Sequence, residues 1–319
     1  MRFSRIAGEE DILENLVNQR KKVIALGFFD GVHQGHGALL RKVLQRAEEL
    51  NAIPAAVTFD AHPTAVIMGK SVPLINTIQD RITLMHDYYG IQDVEVAHFD
   101  EKMMHQNWYD FIVDYLIKEQ HACHLVCGHD FRFGYQGEGT PQMLKSACRD
   151  LGLGCDIIDK VERDGITVSS TYIRDLLAQG EMTRAVAYLG HPHILTGTVV
   201  HGKGLGRTIG IPTANLIPPD GLVPLRRGVY ATTVVLPDGK RCMAVTNVGI
   251  CPTVNQGNHV TVEPWILDYE GDLYGQTIRV EFYHFLRGEQ KFSGLDELKH
   301  EIHKNAAETR KLLEDCLSP

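Results

Sequence analysis

Between residues 23 and 158, short apolar runs alternate with stretches of helical periodicity, and no other feature restricts the fold so tightly. Residues 23–26, 53–59, 94–97, 124–127 and 155–158 read as strands. The stretches between them read as helices. After the first strand, Leu39, Leu40, Val43, Leu44, Ala47 and Leu50 recur on one helical face. Further helices are expected at 78–88, 108–117 and 140–151. Strands that alternate with helices build a parallel α/β sheet covered on both faces. Ligands of such sheets sit beyond the carboxyl ends of the strands. Polar clusters that follow strands are therefore expected on one edge.

The first cluster, residues 27–37, carries Gly27, Phe28, Asp30, His33, Gly35 and His36 and leads into a helix. Unpaired N–H groups at a helix start attract anions, and glycine lets a phosphate approach the backbone. Two histidines add donors. The alternatives are a tight turn with exposed histidines, or a His-x-x-His metal pair, for which no nearby Cys or carboxylate completes a tetrahedral set. Asp60, His62 and Pro63 follow the second strand, and residues 128–134, with Asp130 and Phe131, follow the fourth. Each alone is ordinary turn chemistry; their common position after strand ends points to a site. Ser169, Ser170 and Thr171 precede an apolar helical pattern and read as its N-cap. Arg174 falls in that helix's first turn, where the dipole disfavours a cation, and an anion bound there would account for it.

The pattern changes after residues 190–193. Short β runs at 194–200, 229–236, 242–248, 260–267 and 277–285 are separated by turn signals, and a helix at 295–313 closes the chain. This predicts an antiparallel β-barrel, and two domains, 1–185 and 186–319. Gly202, Lys203, Gly204 and Gly206 form a second glycine-rich stretch. Residues 197–203 imitate a Walker A motif, but Gly204 stands where Ser or Thr belongs and no helix is expected to follow. A glycine-rich phosphate nest or a flexible hairpin remains. Thr213 and Asn215, two apart, face the same side of an extended chain. Their oxygens suit Mg²⁺, although turn or edge polar residues look the same. Glu263 interrupts an apolar β run, as a paired interior residue or as a base.

The formal net charge of −8 over 319 residues disfavours general nucleic-acid binding. No apolar run approaches the roughly 20 residues of a membrane span. The seven scattered cysteines form no Cys-x-x-Cys pair and suit a reducing cytoplasm. We expect small-molecule substrates, no nucleic acid or membrane, and a monomer or weak homo-oligomer.

Gly-Phe-Phe-Asp-Gly-Val-His-x-Gly-His, Phe-Asp-x-His-Pro, Gly-x-Asp-Phe-Arg-Phe-Gly and Ser-Ser-Thr-x-Ile-Arg occur in that order. Together they resemble the adenylyltransferase module of the bacterial bifunctional riboflavin kinase/FMN adenylyltransferases, or FAD synthetases. Gly-x-Gly-Arg-x-x-Gly-x-Pro-Thr-Ala-Asn, Asn-Val-Gly-x-x-Pro-Thr, Val-Glu-x-x-Ile-Leu-Asp and Asp-Leu-Tyr-Gly resemble its riboflavin kinase module. The resemblance implies a Rossmann-like nucleotidyltransferase domain followed by a kinase barrel. It implies ATP and a divalent metal such as Mg²⁺, with riboflavin, FMN and FAD as substrates or products. His33, His36 and Arg174 would act on the phosphates, with Gly27, Phe28, Asp30, Gly35, Ser170 and Thr171 around ATP. Asp130 would lie beside the reacting groups, and Asp60, His62, Pro63 and Phe131 near the flavin. In the second module Thr213 and Asn215 would hold Mg²⁺ and ATP phosphates beside Gly202, Lys203, Gly204 and Gly206, and Glu263 would be the base. Asn305 departs from the family, which often carries Asp there, while Arg310 is kept. A flavin-binding regulator without turnover is the rival reading from another class.

Overall fold

The computed structural model describes residues 21–62, 69, 71–202, 205–253 and 257–314. Pro63, Lys203 and Gly204 lie outside the described residues. The chain packs as two compact units, one of residues 1–72 and 81–168, the other of 73–80 and 169–319.

In the first unit, β1 (Lys22–Leu26), β2 (Ile53–Phe59), β3 (Asp93–Ala97), β4 (Ala122–Gly128) and β5 (Gly154–Ile158) form one parallel sheet in the order β3-β2-β1-β4-β5. Pro54 is tolerated inside β2 because it lies beyond the end of β3, whose pairing starts at Ala55. Helix α1 (Gln34–Leu50) buries Leu39, Leu40, Val43 and Ala47, as its periodicity predicts. Full burial of each large aliphatic side chain stabilises by about 1.5–3 kcal/mol. Leu44 and Leu50 share the sequence pattern but not full burial, and Leu50 is exposed at the helix end. The longer of the other helices are α2 (Ile78–Tyr89), α3 (Phe111–Glu119) and α4 (Pro141–Asp150). The expected α-helix at 108–117 winds as a π-helix through α3. Its wider turn brings Phe111 and Leu116, five apart, toward one side, and both are buried with Ile112.

The strand order reverses between β1 and β4. That switch point is where a parallel sheet opens a crevice at its carboxyl edge. The turns after β1 and β4 flank it.

The second unit contains α5 (Ser170–Gln179), α6 (Met182–Leu189) and an antiparallel sheet. Its strands are β6 (His193–Thr198), β7 (Gly228–Val235), β8 (Arg241–Thr253), β9 (Gly257–Ile266) and β10 (Thr277–Arg287), in the order β9-β8-β7-β10-β6. The extended segment 214–216 joins the two edges. Val200 N–H donates to the Asn215 carbonyl at 2.8 Å, Ala214 N–H to Pro264 at 3.0 Å, and Leu216 N–H to Val262 at 2.9 Å. The sheet is thus curled, with its two edges bridged through this segment. Thr232, Ala244, Thr246, Val248 and Phe282 are fully buried. On the other face Val229, Val245 and Leu267 meet Ala306 of the closing helix α7 (Leu295–Leu312).

Residues 73–80, which the sequence pattern places in the α/β half, pack with this second unit. Leu74 N–H donates to Gly221 at 2.8 Å, and Val223 N–H returns a bond to Leu74 at 2.7 Å. Asn76 Nδ2 donates to the Ile194 carbonyl at 3.4 Å. Helices α5 and α6 belong to the same unit. None of the described helices is long and apolar enough to cross a membrane.

Candidate active sites

The turn after β1 is held in unusual backbone geometry. Phe29, Gly31 and Val32 all have positive φ, at 57°, 82° and 42°. A β-branched residue there is strained, and such strain persists where the surroundings fix it. Phe29 and Val32 are fully buried, which supplies that fixing. His33 is the N-cap of α1: its Nδ1 accepts from His36 N–H at 3.3 Å. His33 thus accepts at one ring nitrogen and keeps the other for donation. With Nδ1 accepting, a neutral His33 carries its proton on Nε2. The two rings stack with centroids 3.6 Å apart. A side chain on Gly35 would come within 3.1 Å of the His33 ring, so glycine here permits the cap. His36 is held well below the usual imidazole range by burial, then by His33, then by Arg81.

The neighbouring strand ends complete this site. Thr58 Oγ1 donates to the Phe28 carbonyl at 2.8 Å. The His62 ring meets Phe28 edge-on at 4.7 Å. Asp60 accepts from Phe99 N–H at 2.9 Å through one oxygen and from His98 Nδ1 through the other, which ties β2 to the loop after β3. Burial pushes the Asp60 carboxyl up, but these partners hold it below the usual range. After β4, exposed Asp130 folds back so that Oδ1 lies 3.1 Å from the place a Gly128 side chain would occupy. Phe131 stacks on Phe133, with ring centroids 5.6 Å apart. Gly27, Phe28, Asp30, His33, Gly35, His36, Asp60, His62, Asp130 and Phe131 all belong to the first unit.

Ser170 and Thr171 lie in the first turn of α5 and Arg174, its fifth residue, just after that turn, in the second unit. Ser169, rather than Ser170, is the cap, accepting from Tyr172 N–H at 3.3 Å.

The barrel carries a second candidate site. The bonds at Ala214 and Leu216 set Asn215 directly opposite Glu263. Asn247 of β8 is opposite Glu263 on its other side. Asn215, Glu263 and Asn247 thus form one polar row across three adjacent chains, on the face that also carries Trp265 and α7. Thr261 Oγ1 donates to Glu263 Oε1 at 2.9 Å. Asn215 Nδ2 donates to the Thr213 carbonyl at 3.4 Å, which turns Oδ1 the other way. Two glycines let the chain press on this pair. A side chain on Gly202 would meet the Asn215 carboxamide at 2.5 Å, and one on Gly206 would meet the Ile211 carbonyl oxygen at 2.3 Å and Thr213 Oγ1 at 3.6 Å. A cavity of about 430 Å³ opens beside Thr213, lined also by Pro212, Ile266, Tyr269 and Tyr274. The expectation that no helix follows the glycine stretch is corrected: Leu205–Thr208 makes one helical turn. Four residues hold only that turn, so the anion-facing helix start of a Walker loop is still missing. Among the described residues no cluster of three His, Cys, Asp or Glu side chains suits a metal ion. A hydroxyl and an amide oxygen are nonetheless the donor chemistry that Mg²⁺ takes.

The sequence reading missed Thr58, Arg81, Asn247 and Thr261. Arg81 had a signal, because it stands three and four residues before buried Leu84 and Met85 and so places a cation on an apolar helical face. Thr261 and Asn247 had none before the register was known. Asn305, the flagged departure, accepts from Arg287 Nε at 3.1 Å and is buried.

Residues 16–172 match the family model described as FAD synthetase, and residues 189–313 match that described as riboflavin kinase. The bifunctional riboflavin kinase/FMN adenylyltransferase of Haemophilus influenzae is 37% identical, over 88% of this chain and 91% of that protein. The Bacillus subtilis protein of the same description is 34% identical over 91% of this chain and 92% of its own length. A solved structure described as a macrolide-efflux protein from Streptococcus pneumoniae superimposes with a TM-score of 0.79 at 28% identity, covering 91% of this chain and 94% of its own. With both halves matched in order and the relatives covered almost end to end, the chain belongs to the bifunctional riboflavin kinase/FMN adenylyltransferase family.

Proposed function

We propose that residues 186–319 phosphorylate riboflavin with ATP to give FMN, and that residues 1–185 join FMN to AMP from a second ATP, releasing pyrophosphate. The observation that carries this reading is the presence of two differently built phosphate-handling sites, the histidine pair at the sheet's switch point and the Asn215–Glu263 pairing of the barrel.

In the kinase step the ribityl 5′-hydroxyl is a poor nucleophile until its proton is accepted. Glu263 takes that proton as the oxygen attacks the γ-phosphorus, and ADP leaves. Thr261 occupies Oε1 and so directs Oε2 to the substrate. Thr213 and Asn215 would hold Mg²⁺, which when bound spreads the charge of the transferring phosphoryl group. The glycine stretch at Gly202, Lys203, Gly204 and Gly206 covers the nucleotide phosphates.

In the adenylyl step the FMN phosphate is already an anionic nucleophile and needs no strong base. It attacks the α-phosphorus of ATP, and the bond to pyrophosphate breaks. What accelerates this is positioning and donors aimed at the developing charge. His33 and His36 supply N–H groups there, and Gly27, Phe28, Asp30 and Gly35 frame the nucleotide. Asp130 orders the reacting groups, while His62, Pro63 and Phe131 face the flavin and Asp60 braces that edge. We place the protein in the cytoplasm as a monomer or weak homo-oligomer acting on small molecules.

Chromatography of products from riboflavin or FMN with MgATP tests the division. Glu263→Gln is expected to lower FMN formation by about 10²–10⁴-fold while FMN still becomes FAD. His36→Ala is expected to do the reverse. Loss of both activities in either variant, or of neither, refutes it.

A further inference from the structure

Among the described residues Arg81 is the largest fully buried side chain, and the mechanism above does not use it. Its Nη1 donates to Thr58 Oγ1 at 2.9 Å and to the Phe59 carbonyl at 3.1 Å. Thr58 passes the connection on to the Phe28 carbonyl. The guanidinium also lies 4.2 Å from the centre of the Phe28 ring, whose neighbour is His62. One arginine therefore holds the end of β2 and the turn after β1. Its Nε and Nη2 are buried and form no hydrogen bond with the described residues. The nearby charge that favours it is Asp30, and burial still lowers its pKa to about 10.

A buried cation with most of its donors unused is poor structural chemistry. Burying a charge is costly, and two hydrogen bonds offset only part of that. A fixed positive charge beneath an anion site, by contrast, needs no reorganisation when charge develops above it.

We propose that Arg81 is a positioning residue for adenylyl transfer, a buried fixed charge that anchors the Phe28 turn and sets the electrostatic environment of the His33–His36 pair. It does not touch substrate, since it has no exposed surface. The inference rests on the assignment of that pair to adenylyl transfer. The titratable groups acting on His36 are His33 from its own turn and Arg81 from α2, and Asp30 acts on Arg81.

The test compares Arg81→Met and Arg81→Lys in the full-length chain, with its riboflavin kinase activity as the internal control. We expect Arg81→Met to form FAD with kcat lowered about 10- to 100-fold and KM for FMN and ATP within about threefold. Its thermal midpoint should fall by a few degrees, because the buried Phe59 carbonyl loses its donor, and Arg81→Lys should recover part of the rate. Without Arg81 the His36 imidazole keeps its proton to higher pH, so the acid limb of kcat should move upward. Unchanged FAD formation in Arg81→Met overturns the proposal. So does a slow Arg81→Met whose acid limb stays in place and which Arg81→Lys does not rescue, because a purely structural role gives that result. If instead His36→Ala leaves FAD formation intact, the assignment of the histidine pair fails first, independently of either Arg81 variant.

Discussion

Gly206→Ala tests whether the glycine stretch is coupled to Thr213. A Cβ at Gly206 would lie 2.3 Å from the Ile211 carbonyl oxygen, whereas ordinary contact begins near 3.4 Å. The obstacle is backbone. Ile211 N–H also donates back to the Gly206 carbonyl at 2.8 Å, and the Ile211 side chain is buried, so the two segments cannot simply part. Relief requires a displacement of about 1 Å, and Ile211 connects through Pro212 to Thr213. Misplacing a reacting group by that distance costs on the order of 10²-fold, or about 2.7 kcal/mol in the barrier. We therefore expect kcat/KM for FMN formation, followed by chromatography with MgATP, to fall about 100-fold. Conversion of supplied FMN to FAD should stay within twofold. Gly210→Ala is the matched control: its φ of +76° imposes backbone strain, but nothing lies within 4 Å of the added carbon. It should cost about 1 kcal/mol of stability and little kinase activity. Kinase activity within threefold of the parent in Gly206→Ala would refute the coupling of this turn to Thr213.

Two further perturbations follow from contacts in each unit. Thr261→Val removes the bond to Glu263 Oε1 and should lower kcat for FMN formation about tenfold at nearly constant KM, with Thr261→Ser restoring it; equal kcat in the two variants would count against the orienting role. Asp156→Asn removes an ion pair in which Arg46 Nε lies 2.7 Å and His124 Nε2 2.9 Å from the same carboxylate oxygen. Arg46 chiefly, with His124, holds the Asp156 carboxyl below its usual range although burial opposes them. Its folded pKa is therefore below the unfolded one, and its contribution is present above the unfolded carboxylate range and lost as pH falls through the folded value. Urea unfolding of the first unit should show a deficit of about 1–3 kcal/mol at pH 7 that narrows toward pH 3. A deficit independent of pH would contradict the ion-pair account.

The first unit was legible because its signals are local. Strand, glycine turn and helix start occupy consecutive residues from Val23 to Leu40, and the parallel-sheet rule then gathers the turns after β1, β2 and β4 without any pairing having to be known. Sequence did not show that residues 73–80 pack with the barrel, since an extended stretch before a helix looks the same whichever core its backbone bonds join. The row Asn215–Glu263–Asn247 was hidden for a related reason. Its members are brought opposite one another by ladder register, and a one-residue slip would turn Glu263 away from both asparagines. Register also explains why Glu263 looked ambiguous as a lone carboxylate in an apolar run. Next to it, Val262 and Pro264 are buried, whereas Glu263 shares the opposite face with Trp265 and the closing helix. Glu281, which the register places on the same face, is fully buried and is paired with Arg241 and Arg279. Glu263 has no such partner among the described residues and accepts from a neutral hydroxyl instead. The barrel thus holds two strand-borne carboxylates with opposite chemistry. Glu281, buried and paired with arginines, is committed to structure, and Glu263, half-buried and bound through one oxygen, is the one we propose as the base.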